Sequence, residues 1–480
     1  MKNYIIIILS TIYSVFCFPQ GNTKVTINIP PTDSVALKAE IFVLDPTQAI
    51  GLGKYRDTLD IVDGQCQFSF DISNPSLMTL IVNNKFVTFP GEYMVVIQPA
   101  DDLIFDLPPI TEAENFGIGI SKIKIRGHGS EKINLTKAMV KTYLDIYRTD
   151  PPFDQQSLSY RFETADRKLT AIDLLYNSDT IVPANIKDII KAKLYASVLT
   201  SVIRVSKRSK SDSVRLLFDK YIVDKKRINV FYKKDIVKYG GMIGSYLILS
   251  EFTNPVTVGG DDYQTRNRMK YAELLVRRLK DFPEIRDHLL SSHLITTIRS
   301  GFDSTTTKLY EYYCKESDFN NPNYTAVTTL YDNTANKLAE GKRFYNFALP
   351  DSTGKIYRLA DFKGSVLVID FWYNGCGGCK LMVPVLEEIE KEMADKNVQF
   401  LSIGIDRKDL WLKGIGKYSS ANSLQLFTDG ESKDHPMMKY LNIYAYPRLF
   451  VVDKNGNVTS APPEPRSNKE NFKKFLNTLL

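Results

Sequence analysis

The chain has 480 residues, 43% of them hydrophobic and 24% charged, with a net charge of +7. That length predicts about three domains, and its ordinary glycine and proline usage excludes collagen-like and low-complexity classes. Five cysteines are too few for a disulfide-stapled scaffold, four histidines without an i, i+4 pair argue against a His-built zinc site, and the mildly basic balance does not demand a nucleic-acid partner.

The chain opens with one positive charge in Met1-Lys2-Asn3 and an apolar run from Tyr4 to Phe16. This pattern reads as an export signal over residues 1–21. Polar residues resume at Gln20, short of the about 20 apolar residues that a bilayer span needs. A cleaved signal is therefore expected, with cleavage after Cys17 or Gly21. A lipid anchor on Cys17 is the alternative, against which the bulky Phe16 before it counts. The mature protein is expected in the periplasm or associated with the cell envelope, with peripheral membrane association open.

Residues 22–128 carry short alternating strands: Val25 to Ile29, Leu37 to Leu44, Thr58 to Val62, Cys66 to Phe70 and Tyr93 to Ile97. Asp63-Gly64 is a two-residue hairpin signal, and Pro90-Gly91 marks another turn. The spacing predicts a small antiparallel β-sandwich.

Residues 129–338 change to helical periodicity. Ile186, Ile189, Ile190 and Leu194 form an apolar stripe that continues through Val198 and Val202. Pro183 stands at the start of that helix and Pro283 opens a later one. No repeat of solenoid period is visible. Arg204 to Lys238 is rich in Lys and Arg. Interleaved acids and apolar residues make solvated helix faces the expected reading, with an anionic membrane surface as the alternative.

From residue 339 strands and helices alternate. Val366 to Phe371 reads as a buried strand, Cys376 to about Lys396 as a helix, and Phe400 to Ile405 and Leu449 to Val452 as further strands. Ser467 and Glu470 are expected to form a capping box for a last helix burying Phe472, Phe475, Leu476 and Leu479. The expected architecture is multidomain: an antiparallel β-sandwich, a central all-α region and a C-terminal α/β sandwich with a mixed sheet over 339–480.

Cys376-Gly377-Gly378-Cys379 falls at a strand-to-helix junction. This spacing places both thiols in the first helical turn, where free N–H groups and the dipole favour a thiolate. A lowered pKa makes Cys376 the nucleophile, and Cys379 closes the ring by attacking a mixed disulfide. A zinc knuckle lacks a second ligand pair. The same spacing also admits a buried pair of structural thiols or a purely structural disulfide, although the first is disfavoured beside two glycines and the second is uncommon at this spacing. No metal and no cofactor beyond the redox pair Cys376–Cys379 are expected.

Around that motif, Asp370-Phe371-Trp372-Tyr373-Asn374-Gly375-Cys376-Gly377-Gly378-Cys379-Lys380 resembles the active-site segment of the TlpA-like thiol–disulfide oxidoreductases, which have a thioredoxin fold. Pro384 is similar to their helix-kinking proline, and Tyr446-Pro447 to their cis-proline. Phe347 to Gly364 resembles their extra N-terminal hairpin. The upstream layout is similar to exported Bacteroidetes proteins. The resemblance implies Cys376 and Cys379 as catalytic cysteines. Asp370, whose burial at a strand end should raise its pKa, becomes a proton acceptor for Cys379 through water. It also implies Trp372, Tyr446 and Pro447 as the substrate-facing surface. The family usually has a bulky residue at position 375 and a proline at 378, and both are glycine here.

The expected function is an extracytoplasmic thiol–disulfide oxidoreductase, a reductase or isomerase, acting on disulfide-containing exported proteins and fed by a membrane-linked electron donor. A partner-binding scaffold with an accessory redox domain is the alternative from another class. A thiol peroxidase is disfavoured, because Tyr373 stands three before Cys376 where a hydroxyl of Thr or Ser is needed. Cys66 and Cys314 are expected as buried free thiols, with a bridge between them open.

Overall fold

The structure is a computed structural model that describes residues 22–30, 37–45, 55–83, 85–88, 94–109, 117–119, 122–151, 156–206, 243, 267–300, 302–443 and 446–480. The export segment 1–21, the turn at Pro90-Gly91 and the basic stretch beyond Ser206 lie outside the described residues. Among the described residues, no helix is long and apolar enough to cross a membrane. The chain forms two compact units that part near Val202.

The first unit begins with strands β1 (Thr23–Asn28), β2 (Leu37–Leu44), β3 (Tyr55–Ile61), β4 (Gln65–Phe70) and β5 (Ser76–Val82). It continues with β6 (Lys85–Thr88), β7 (Val95–Ile97), β8 (Asp102–Asp106), β9 (Gly117–Gly119) and β10 (Lys124–His128). One sheet has the order β10-β8-β1-β4; the other runs β3-β2-β5-β6-β9, with β7 also on β5. The period of two is visible in β4, which buries Cys66, Phe68 and Phe70 and turns Gln65, Gln67 and Ser69 outward.

Two expectations need correction here. The sheets are not purely antiparallel, because β1 pairs β8 in parallel and β6 pairs β9 in parallel. Parallel neighbours need a long crossover, and the chain from β2 to β7 supplies one between β1 and β8. The Asp63-Gly64 turn has positive φ at both residues, as the dipeptide predicts. It makes a single bridge, Val62 to Gln65, before β3 and β4 part into different sheets. The rings of Tyr55 and Phe70 stack across that parting, 4.6 Å apart. Three helices follow: α1 (Ser130–Arg148), α2 (Leu158–Ser178) and α3 (Ala184–Ser206).

The second unit contains α4 (Arg268–Arg278), α5 (Pro283–Ser300), α6 (Ser304–Glu316) and α7 (Tyr324–Leu338). Asp303 caps α6 by accepting from the Thr306 N–H. A hairpin of β11 (Ala348–Pro350) and β12 (Ile356–Arg358) leads into β13 (Val366–Trp372), α8 (Gly377–Glu392) and β14 (Val398–Gly404). Then come α9 (Lys408–Gly414), β15 (Leu424–Phe427), α10 (Pro436–Leu441), β16 (Arg448–Val452) and α11 (Lys469–Asn477). The sheet order is β15-β14-β13-β16, with β16 antiparallel and the rest parallel. This is a thioredoxin-like layout.

Val366, Val368 and Val451 from the sheet join Ile389, Met393, Phe472 and Leu476 from α8 and α11 in one core. On the opposite face Phe450 packs against Phe344 and Phe371. The helices are fastened to this sheet domain where Tyr440 meets Tyr345 and the ammonium of Lys337. The cap of α11 differs from expectation. Asn468, not Ser467, is the capping residue, and its side chain accepts from the Asn471 N–H. Cys66 and Cys314 are both free; Cys66 is buried, but Cys314 is only half-buried, contrary to expectation.

Candidate active site

All seven residues of β13 are buried, so its alternation alone decides which face each side chain takes. Val366 and Val368 point into the core under α8, and the same parity carries Asp370 and Trp372 to that side. The chain then leaves the strand through Gly375, whose φ of +103° lies where a side chain is strained. This accounts for a glycine where the resembled family has a bulky residue. The Asn374 N–H donates to the Asp406 carboxylate, 2.5 Å, and pins the loop.

Cys376 is the N-cap of α8 and is bonded to Cys379, with Cα atoms 5.2 Å apart. The Cys379 N–H donates to the Cys376 sulfur at 3.0 Å. In the reduced pair that donor and the helix dipole would hold negative charge on this sulfur. Both sulfurs are covered in the closed form: Cys376 is 2% exposed and Cys379 fully buried. Trp372, Trp411 and Phe427 form one buried cluster with the two cysteines, and Tyr446 packs against it.

The Tyr446–Pro447 peptide is cis. Pro447 lies so near α8 that a Cβ at position 378 would stand 3.0 Å from its Cδ. Gly378 thus permits this close approach. The structure therefore brings Cys376, Cys379, Trp372, Tyr446 and Pro447 together, but Trp372 is fully buried and packs beside the pair instead of facing a substrate as expected. Lys380, by contrast, is a solvated helix residue.

Asp370 is buried, and its Oδ1 has no hydrogen-bond partner. Burial first, then the nearby Glu390 carboxylate, push its pKa up to about 7. Ser402, its register partner on β14, also has an orphaned hydroxyl. Two orphaned polar groups side by side are what a bound water would satisfy.

Several site features were not read from the sequence. Glu390 is buried on α8, held by the hydroxyls of Ser420 and Ser423. Its only sequence signal is an acid beside Ile389 on an apolar helix face. Arg466 pairs with Glu464, Nε to Oε1 2.7 Å, and donates to the Gly378 carbonyl at 3.3 Å. Arg448 directly follows the cis-proline. A cavity of about 640 Å³ opens beside these residues, bordered by Gly378, Tyr446 and Pro447, by His293 of α5 and by Phe302 between α5 and α6.

Residues 339–479 match the family model named Redoxin. The thiol-disulfide oxidoreductase ResA of Bacillus cereus is 26% identical over 149 residues, which are 31% of this chain and 83% of that protein. A thioredoxin of Rickettsia typhi is 38% identical over 79 residues, 15% of this chain and 73% of that protein. The solution structure of a thiol:disulfide interchange protein from Bacteroides sp. is 25% identical, covers 29% of this chain and 91% of its own, and has a TM-score of 0.27. Through its C-terminal residues 339–479 the chain belongs to the TlpA-like thioredoxin-fold family of thiol–disulfide oxidoreductases.

Proposed function

We propose that this oxidoreductase works outside the cytoplasm, on protein disulfides, through Cys376 and Cys379. The observation that carries the reading is a Cys-Gly-Gly-Cys disulfide at a helix start, packed with Trp372 and the Tyr446–Pro447 loop, with an orphaned buried carboxylate on the strand that leads into it. In the reducing direction the Cys376 thiolate attacks one sulfur of a substrate disulfide. A mixed disulfide forms and the first substrate thiolate leaves. Cys379, giving its proton through water to Asp370, then attacks the Cys376 sulfur. The Cys376–Cys379 bond closes and the second substrate thiolate leaves.

A carboxyl that titrates near 7 suits this task, since it both takes and returns a proton at neutral pH. Trp372 shields the pair, and Tyr446 and Pro447 form the edge on which a substrate backbone docks. Export rests on the apolar run from Tyr4 to Phe16. The partners would be exported proteins with disulfides and a membrane-linked electron donor.

The test is exchange between the reduced protein and a disulfide peptide. Cys376→Ser should abolish exchange, whereas Cys379→Ser should accumulate a mixed disulfide visible by mass. Full activity of Cys376→Ser would sink the reading. A second measurement is the pH–rate profile, which should show an inflection near 7 that Asp370→Asn removes.

A further inference from the structure

The cavity beside the redox pair has a volume of about 640 Å³, inside the range of about 300–1,000 Å³ common for ligand sites. It reaches the pair at Gly378, and the proline-rich loop from Ala461 to Arg466 gives it one stiff wall. Its charges are unevenly satisfied. Arg268 is taken up by Asp303 through two bonds, Nη1 to Oδ1 3.0 Å and Nη2 to Oδ2 2.5 Å. Arg466 is taken up by Glu464 in the same two-pronged way.

Arg448 differs. Among the described residues no carboxylate pairs with it. Its guanidinium rests 4.7 Å from the centre of the Phe450 ring, a contact that uses the cation's face and none of its five N–H donors. Burial without a partner lowers its pKa to about 10, so it remains a cation at neutral pH. Arg299 adds another guanidinium to the lining. A partly desolvated cation with an unused planar fork matches a carboxylate in geometry and charge.

We propose that this cavity receives the segment flanking a substrate disulfide, and that Arg448 selects substrates carrying a carboxylate there. The proposal rests on the redox reading of Cys376 and Cys379 and adds its specificity. The carboxylate belongs either to an Asp or Glu next to a peptide cystine or to a small acidic disulfide; the recognition chemistry is the same.

The experiment uses the reduced full chain in single-turnover exchange, followed by tryptophan fluorescence. Its substrates are three disulfide-linked peptides that differ only in Glu, Gln or Lys beside the cystine, and oxidised glutathione. At low ionic strength the Glu peptide should react about tenfold faster than the Lys peptide. Arg448→Gln should bring that ratio within about twofold of one, and Arg448→Lys should keep most of it. Because the ratio is taken within one variant, partial loss of folded protein cancels. A rate loss in Arg448→Gln confined to the Glu peptide identifies a peptide substrate, and one shared by oxidised glutathione extends the site to small acidic disulfides. Equal rates for the Glu and Lys peptides in the wild type, or an unchanged ratio in Arg448→Gln, overturns the proposal. No exchange with even the Gln peptide in the wild type would sink the redox reading along with it.

Discussion

Asp101 in the first unit and Asp370 in the second are both carboxylates at or below 3% exposure. Asp101 is answered on every side: the Lys132 ammonium lies 2.6 Å from Oδ1, and the Gln98 N–H donates to Oδ2 at 2.9 Å. Lys132 also donates to the Gly129 carbonyl, locking the turn that starts α1. Asp370 has an orphaned oxygen, and among the described residues no cation pairs with it directly, Arg466 acting on it only through space. The first arrangement holds charge in place and fixes structure. The second raises the carboxyl's pKa to about 7, where the proposed proton transfer would need it.

That contrast breaks first at the cysteines. If Asp370 serves a redox pair, Cys376→Ser should cut exchange with a disulfide peptide by more than about a thousandfold. Lys132→Met, in the first unit, should leave the exchange rate alone.

The two carboxylates should also respond to mutation with opposite signs. Below pH 3.8 Asp370 is protonated in folded and unfolded chains alike, and its burial costs no charge. As pH rises the unfolded chain ionises first, so stability falls until the folded carboxyl ionises near 7. Asp370→Asn should therefore stabilise the second unit by about 4 kcal/mol at pH 8 and hardly at all at pH 3. Both tryptophans, Trp372 and Trp411, lie in that unit, so their fluorescence in denaturant titrations reads it selectively. An equal gain at both pH values would show that ionisation is not the cause.

Lys132→Met should do the reverse in the first unit. It strands Asp101 in a buried site and should cost about 3 kcal/mol. The loss should be seen by circular dichroism and not by tryptophan fluorescence. The smallest effect sets the scale for an ordinary polar contact in the second unit. Asn468→Ala removes the cap of α11 and should cost about 1 kcal/mol at every pH between 5 and 8.

Much of the candidate site was legible because its logic is local. Cys376 and Cys379 are three residues apart, and Asp370 reaches its position by strand parity alone. The short elements were less legible. Strand β15 has four residues and α10 six, too few for a periodic signal. Asp63-Gly64 makes the turn its residues predict, yet it does not reveal the partners of β3 and β4, because a turn fixes a reversal and not which sheet each strand joins.

The opening numbers, 480 residues with five cysteines and a charge of +7, excluded a disulfide-stapled scaffold and bounded the domain count, and the candidate pair came from the Cys376-Gly377-Gly378-Cys379 spacing. Sequence by itself determined what depends on neighbours along the chain: the paired thiols at a helix start, the buried strand before them and the proline loop's identity. Tertiary structure alone decided what depends on residues far apart. Glu390 is clamped by hydroxyls 30 and 33 residues away. Asp101 finds its lysine 31 residues on, while among the described residues Asp370 pairs with no lysine. Arg448 is distinguished by having no carboxylate partner among the described residues. The reason is physical: the free energy of a buried charge is set by the groups around it in space, and sequence order does not record which groups those are.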